Sequence, residues 1–257
     1  MGRNTSSASH LAHAADVAQC VDASEVRYHR RRATLLKGGA GRYLMPLTAA
    51  IEAARAPSPW RVGNEVLYKL CRERPAHVDE ADVIAKVWLI GRSYAAAIER
   101  RKTKSDENDD FYVNTVAPAI AHSPIDAWIN RAKQYERPCA ESWAALLQVH
   151  HDTTQLFSKI SGLEKRSLAS KYLHFHVPHL FYIYDTRAVE ALRFFASVVR
   201  RAGRSSVQAD NEYRKFAEKC LSLQRHIEEQ YGISLTPREL DNLLLAHTSN
   251  AFSTSSP

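Results

Sequence analysis

The chain has 257 residues, of which 45% are hydrophobic, enough apolar material for one large domain or two small ones. No apolar run approaches the ~18–20 residues of a membrane span, and the N-terminal MGRNTSSASHLAHAADVAQC lacks the apolar core of a secretory signal. Cys20, Cys71, Cys139 and Cys220 are singly placed, against both a disulfide framework and structural zinc, while a net charge of +7 favours an anionic partner, nucleic acid first.

In chain order, residues 1–25 read as a disordered tail, 26–247 as a single helical domain, possibly two-lobed, and 248–257 as a frayed end. RYHRRRATLLKGGAGRY (27–43) is a basic cluster before a glycine turn. GGAGR does not match GxxxxGK[ST], so it is no phosphate loop. Arg31 and Arg32 either touch a nucleic-acid backbone or belong to a solvated arm.

Beyond that the pattern is helical almost throughout. YLMPLTAAIEAAR (43–55) stops at the prolines of PSP. DEADVIAKVWLIGRSYAAAIERR (79–101) is the strongest, capped by Asp79 and carrying Val83, Val87, Ile90, Tyr94 and Ile98 on one stripe. Gly91 within it implies a close approach, by a packed neighbour or by a ligand. KSDENDD (104–110) is a charged turn, and helices follow at 111–121, 124–134 and 140–160. LTPRELDNLLLAH (235–247) opens with a capping box of Thr236 and Glu239, with Pro237 at the first helical position. The expected fold class is mainly α, a compact multi-helix domain.

KYLHFHVPHLFYIYDTRAVEAL (171–192) stands out. A turn at Gly162 leads into a helix carrying Leu168, Lys171, Tyr172 and Phe175, which Pro178 ends. LFYIY (180–184) reads as buried and extended, and Asp185 caps a long amphipathic helix through Val199. Among such apolar neighbours Lys171 must snorkel to solvent or sit in a pocket. A desolvated amine has a lowered pKa and can act as a nucleophile.

ASKYLHF…FYIYDTRAVEAL resembles the catalytic segment of the helix-hairpin-helix DNA glycosylases, in the branch related to 8-oxoguanine glycosylase, over about residues 145–200. The family shows an aspartate in a P-[IV]-x-D-x-[RH]-[VM] context. The resemblance implies that Lys171 attacks C1′ of a modified nucleotide and that Asp185 orients the attack and stabilises the sugar cation. It also implies a helix-hairpin-helix fold, a duplex DNA partner carrying a modified base, no cofactor, and a monomeric enzyme, in a chain whose polar N-terminus and unpaired cysteines read as cytoplasmic. Where the family hairpin reads L-P-G-[VI]-G, this chain has ISGLEKRSL, which leaves phosphate contact to Lys165 and Arg166; the spacing from Lys171 to Asp185 is also short. These departures are similar in design to phage-defence glycosylases acting on glucosylated cytosines.

A flipped base needs aromatic or apolar faces, for which Trp88, Tyr94, Tyr172, Phe175 and Tyr184 are candidates, and Arg187 either holds a phosphate or pairs with a nearby acid. Attack by Lys171 leads to a Schiff base, attack by water to an abasic site. His174, His176 and His179 suit packed imidazoles better than a metal centre, since no supporting carboxylate follows. Arg72 and His77 match a ribonuclease-like spacing that Pro75 interrupts. The rival class is a non-catalytic helical nucleic-acid-binding or regulatory protein.

Overall fold

The computed structural model describes residues 46–101, 103, 107–199 and 209–253, with side chains as far as His247. The helices are α1 (Leu47–Arg55), α2 (Arg61–Glu73), α3 (Glu80–Ser93) and α4 (Asn108–Phe111), the last continuing through a π-turn at Tyr112–Val116 into α5 (Ala117–Ala121). Then come α6 (Ile125–Ala132), α7 (Ala140–Ser161), α8 (Arg166–His176) and α9 (Thr186–Ala191) with a 3-10 turn at Leu192–Phe195. α10 (Asn211–Tyr231) and α11 (Pro237–Ser253) complete the order. The protein is mainly helical, with no strand among the described residues. The 1–25 tail, the basic arm with Arg31 and Arg32, and residues 104–106 of the charged turn lie outside the described residues.

Local chemistry explains most helix ends. Asp79 accepts from the N–H groups of Ala81 and Asp82, and Asp210 from those of Glu212 and Tyr213, so both satisfy orphan donors of a first turn. Thr236 and Glu239 form the expected capping box, each side chain reaching the other's backbone N–H. Gly162 and Gly232 adopt the left-handed conformation that closes α7 and α10, with φ of 69° and 65°.

Several boundaries differ from the sequence-based expectation. The helix expected over 79–101 ends at Ser93, because Ala95 turns into the left-handed region at φ 52° and the Ala96 N–H bonds Gly91 O. A Cβ on Gly91 would sit 3.2 Å from Ala97 Cα, so the close approach at this glycine is the returning backbone itself. The helix after Asp185 keeps α geometry only to Ala191, whereas α11 continues past 247 to Ser253. α2 and α10 had no counterpart in the sequence-based assignment.

α8 lies at the centre of one continuous apolar core, with every residue from Leu168 to His176 buried. A helix covered on all sides draws its stability from packing more than from propensity. α7 and α3 pack on it, and α11 packs on both α1 and α9. No helix among the described residues is long and apolar enough to cross a membrane.

Gly91→Val forces a branched side chain against backbone that cannot move aside. It should lower stability by about 1–3 kcal/mol, read as a fall in urea midpoint at unchanged slope.

Candidate active site

Leu180 closes a turn in which the Leu180 and Phe181 N–H groups bond Val177 O, and the connection Phe181–Tyr184 then runs on without regular structure or sheet neighbours, so its remaining backbone polar groups need other partners. Side chains supply them. His174 Nδ1–H donates to Phe181 O at 2.8 Å, and the Tyr213 hydroxyl donates to Tyr182 O at 3.2 Å. The Tyr184 N–H donates to Ser170 Oγ at 2.9 Å, while Ser167 Oγ donates to Tyr184 O at 3.2 Å. Three of these four anchors stand on α8. They clamp the residue before Asp185 against the helix that carries Lys171.

That clamp brings the two charges together. Lys171 Nζ donates to Asp185 Oδ2 at 3.3 Å and to Ser167 Oγ at 2.8 Å, with only 2% of the residue exposed. Asp185 caps α9 by accepting the Arg187 N–H at 2.9 Å, and its side chain keeps 27% exposure. Burial draws the Lys171 amine below the ordinary lysine range, and the Asp185 charge opposes this only in part. Burial tends to raise the Asp185 carboxyl, but Lys171 and the Arg187 backbone outweigh it and hold it below the usual carboxylate range. The result is a dry amine that loses its proton more readily than a surface lysine, facing a persistent anion. Arg187, 62% exposed and 3.7 Å from Asp185 Oδ1, is the cation at the open side.

A third helix end joins the pair. On α11, the half-buried Arg238 and the buried Asp241 form an ion pair at 3.3 Å. Arg238 Nε donates to the Tyr68 hydroxyl at 2.9 Å, which donates to His174 Nε2 at 2.7 Å, leaving His174 Nδ1–H for Phe181 O. Since a carbonyl only accepts, this chain fixes the His174 tautomer. The guanidinium stands 5.5–5.8 Å from the ring centres of Phe175, Tyr94 and Tyr68, a cation among three aromatic faces.

The other expected residues disperse. Lys165 Nζ donates to the carbonyls of Ala97 and Arg100, and Arg166 grips both oxygens of Asp210 at 2.7 Å as well as Glu164. Both cations are engaged inside the protein instead of projecting from the hairpin toward a phosphate. Trp88, 41% exposed, lies under the Arg92 guanidinium on the surface of α3. Tyr172 is fully buried, its hydroxyl bonded to His77 Nε2 at 2.6 Å, and His77 Nδ1 meets Asp126 at 2.5 Å. It is therefore core. Tyr184 packs edge-on against Phe216, and Tyr94 donates to Asn64 Oδ1 at 2.6 Å. Phe175, with Tyr68, His176 and Cys71, lines a cleft of about 410 Å³ one turn beyond Lys171 on α8.

The chain matches no protein-family model, no curated protein and no solved structure. The site therefore has to be read from its own atoms.

His174 and His179 are hydrogen-bonded imidazoles, and among the described residues no three His, Cys, Asp or Glu side chains converge as metal ligands. Tyr68, Ser167, Arg238 and Asp241 escaped the sequence reading. The available signal for Asp241 was an acid between Leu240 and Leu243 on the apolar face of α11.

Burial, with Asp185 adding to it and Arg238, Lys171 and Arg187 opposing, pushes the Asp241 carboxyl up to about 6 from 3.8. The fold then binds a proton that the unfolded chain has released, so stability falls as pH rises through this window and stays lower above it. The wild-type protein should lose up to about 3 kcal/mol between roughly pH 4 and pH 6 through this group, a slope that urea titrations of Asp241→Asn should lack.

Proposed function

We propose that the protein is a DNA glycosylase that flips a modified or damaged base and cleaves its N-glycosidic bond, in phage defence or base-excision repair. One observation carries this reading: the Lys171 amine, dry and 3.3 Å from the capping carboxylate of Asp185, across a helix–turn–helix and its apolar connection. Departure of the base leaves positive charge on the sugar. An ionised carboxylate in a low-dielectric site lowers that barrier, and a nearby neutral amine can trap C1′ as a Schiff base.

The arrangement of helices agrees with this in outline. Ala140–Ser161 and Arg166–His176 form a hairpin joined by a short turn at Gly162, and the lysine sits on its second helix. The aromatic wall of Tyr68, Phe175 and Tyr94 beside Arg238 offers stacking faces for an everted base. Arg187 is the phosphate contact at the mouth, a role that its exposure permits and that Lys165 and Arg166 have given up to internal pairs. The partner is duplex DNA with a modified base, and no cofactor is required.

A second reading has one observation in its favour. With Lys171 only 2% exposed, a sugar reaches the amine only if the cover moves, which suits a helical nucleic-acid-binding or regulatory protein that never opens.

Incubation with duplexes carrying modified bases, followed by borohydride, should trap a covalent adduct in the wild type and none in Lys171→Ala. Asp185→Asn should slow base release by roughly 10²–10³-fold, read as alkali-labile strand breaks. Gel-shifted complexes with no base released from any duplex would favour the binder.

A further inference from the structure

We propose that the cleft between α2, the end of α6 and the end of α8 binds a small molecule made of a flat aromatic ring and an anionic group. The site is apart from the Lys171–Asp185 pair and stands whether or not the glycosylase reading holds.

The cleft holds about 410 Å³, within the range of pockets that take organic ligands and far more than a lone ion requires. Neither Lys171 nor Asp185 lines it. His176 does, and this residue is the anomaly. It is 8% exposed, and neither ring nitrogen has a hydrogen-bond partner. Burial, with His77, Lys86 and Lys133 adding to it, holds its pKa well below the ordinary histidine range, so the ring is neutral. A neutral imidazole carries one donor and one acceptor, and hiding both without partners is costly.

The inner neighbours of His176 cannot remove that cost. The Tyr172 and His77 rings lie 4.9 and 5.0 Å away, but their polar atoms are engaged with each other and with Asp126. The cleft is the side on which a partner can stand. No hydrogen bond fixes the ring, so a half-turn about χ2 exchanges its nitrogen and carbon positions without breaking one.

The rest of the lining gives the chemistry of that partner. Phe175 and Tyr68 stand with ring centroids 4.8 Å apart at 49°, a corner of two aromatic planes that suits a third ring. The Tyr68 hydroxyl is already engaged with His174 and Arg238, so this side chain brings only its ring. Arg72, in the last turn of α2, and Lys133, just past α6, supply charge. Both are exposed, and among the described residues neither has an ion pair or a side-chain hydrogen bond. Glu65, the acid in the lining, stands two turns before Arg72, about 10 Å along the helix, which leaves the Arg72 end of the cleft positive. A ring in the aromatic corner, with a heteroatom or hydroxyl against His176, then holds its anion beside two free cations. Mononucleotides and aryl carboxylates share this chemistry.

The test titrates the full chain with 5′-mononucleotides, 4-hydroxybenzoate, adenosine and inorganic phosphate, by calorimetry and by NMR of 15N-labelled histidine. A ring-bearing anion should bind saturably and shift the His176 ring signals, assigned from His176→Gln. Whether mononucleotides or 4-hydroxybenzoate bind more tightly tells which of the two sources the cleft serves. Adenosine, which lacks the charge, and phosphate, which lacks the ring, should each bind at least about tenfold more weakly. Arg72→Gln with Lys133→Gln, both at exposed positions outside the core, should weaken binding by roughly tenfold. Asp185→Asn should leave it unchanged. The proposal is overturned if no ring-bearing anion saturates the protein, if phosphate alone binds as tightly, or if the double variant binds like the wild type. Binding lost in Asp185→Asn also overturns it, because the ligand then belongs to the lysine–aspartate site. Ligand binding without base release from any duplex sinks the glycosylase reading alone, and base release without ligand binding sinks the cleft alone.

Discussion

A stretch of backbone buried without sheet neighbours must find hydrogen-bond partners or lose the energy of every polar group it hides. Phe181–Tyr184 is such a stretch, and the way it is satisfied organises this protein. Ser167, Ser170 and His174 stand on successive turns of α8, and each bonds the connection. With about 1 kcal/mol net for a typical bond and more for each left unmade, the register between helix and segment is strongly specified. Lys171 lies in the middle of that helix, and Asp185 directly follows the segment. Their approach is thus set by the backbone's needs before any attraction between the charges is counted.

The same constraint decides how much electrostatics can do. An exposed lysine–aspartate pair contributes little, but here the cation is fully dry and the anion half-covered. Burial works against both charges, and the geometry retains them by supplying a serine hydroxyl for the amine and a helix N-terminus for the carboxylate. Arg238 plays a comparable part a short distance away, where its charge is met by Asp241, by a tyrosine hydroxyl and by three ring faces. Lys171, Arg238, Asp185 and Asp241 therefore form one polar cluster against the apolar core, beside the separate buried chain of Tyr172, His77 and Asp126.

Much of this was legible along the chain. The proline after α8, the apolar run and the aspartate before a helix announced the segment and its cap, and Lys171 was conspicuous because nothing nearby excused it. Local rules are enough for caps and turns, as Asp79, Thr236 and Gly162 show. Partners distant in sequence were not legible. Tyr68 reaches His174 across 106 positions and Arg238 reaches Tyr68 across 170, distances over which one sequence carries no pairing signal. Lys165 and Arg166 were misleading for the same reason, since a basic residue after a turn looks solvent-bound until Ala97, Arg100 and Asp210 are placed beside it. The short α3 has a similar origin: helix propensity favoured continuation, but the tertiary return of Ala97 onto Gly91 prevailed.

The packing of α11 on α1, with Asn242 bonding Ala54 O across 188 positions, has a kinetic consequence. Closing so long a loop is entropically expensive and comes late in folding. Until it closes, Arg238 and Asp241 are not beside α8, and a growing polypeptide holds its lysine and aspartate in an unfinished, water-filled environment. The polar surroundings of Lys171 and Asp185 are therefore complete only once α11 has docked on α1 and α9.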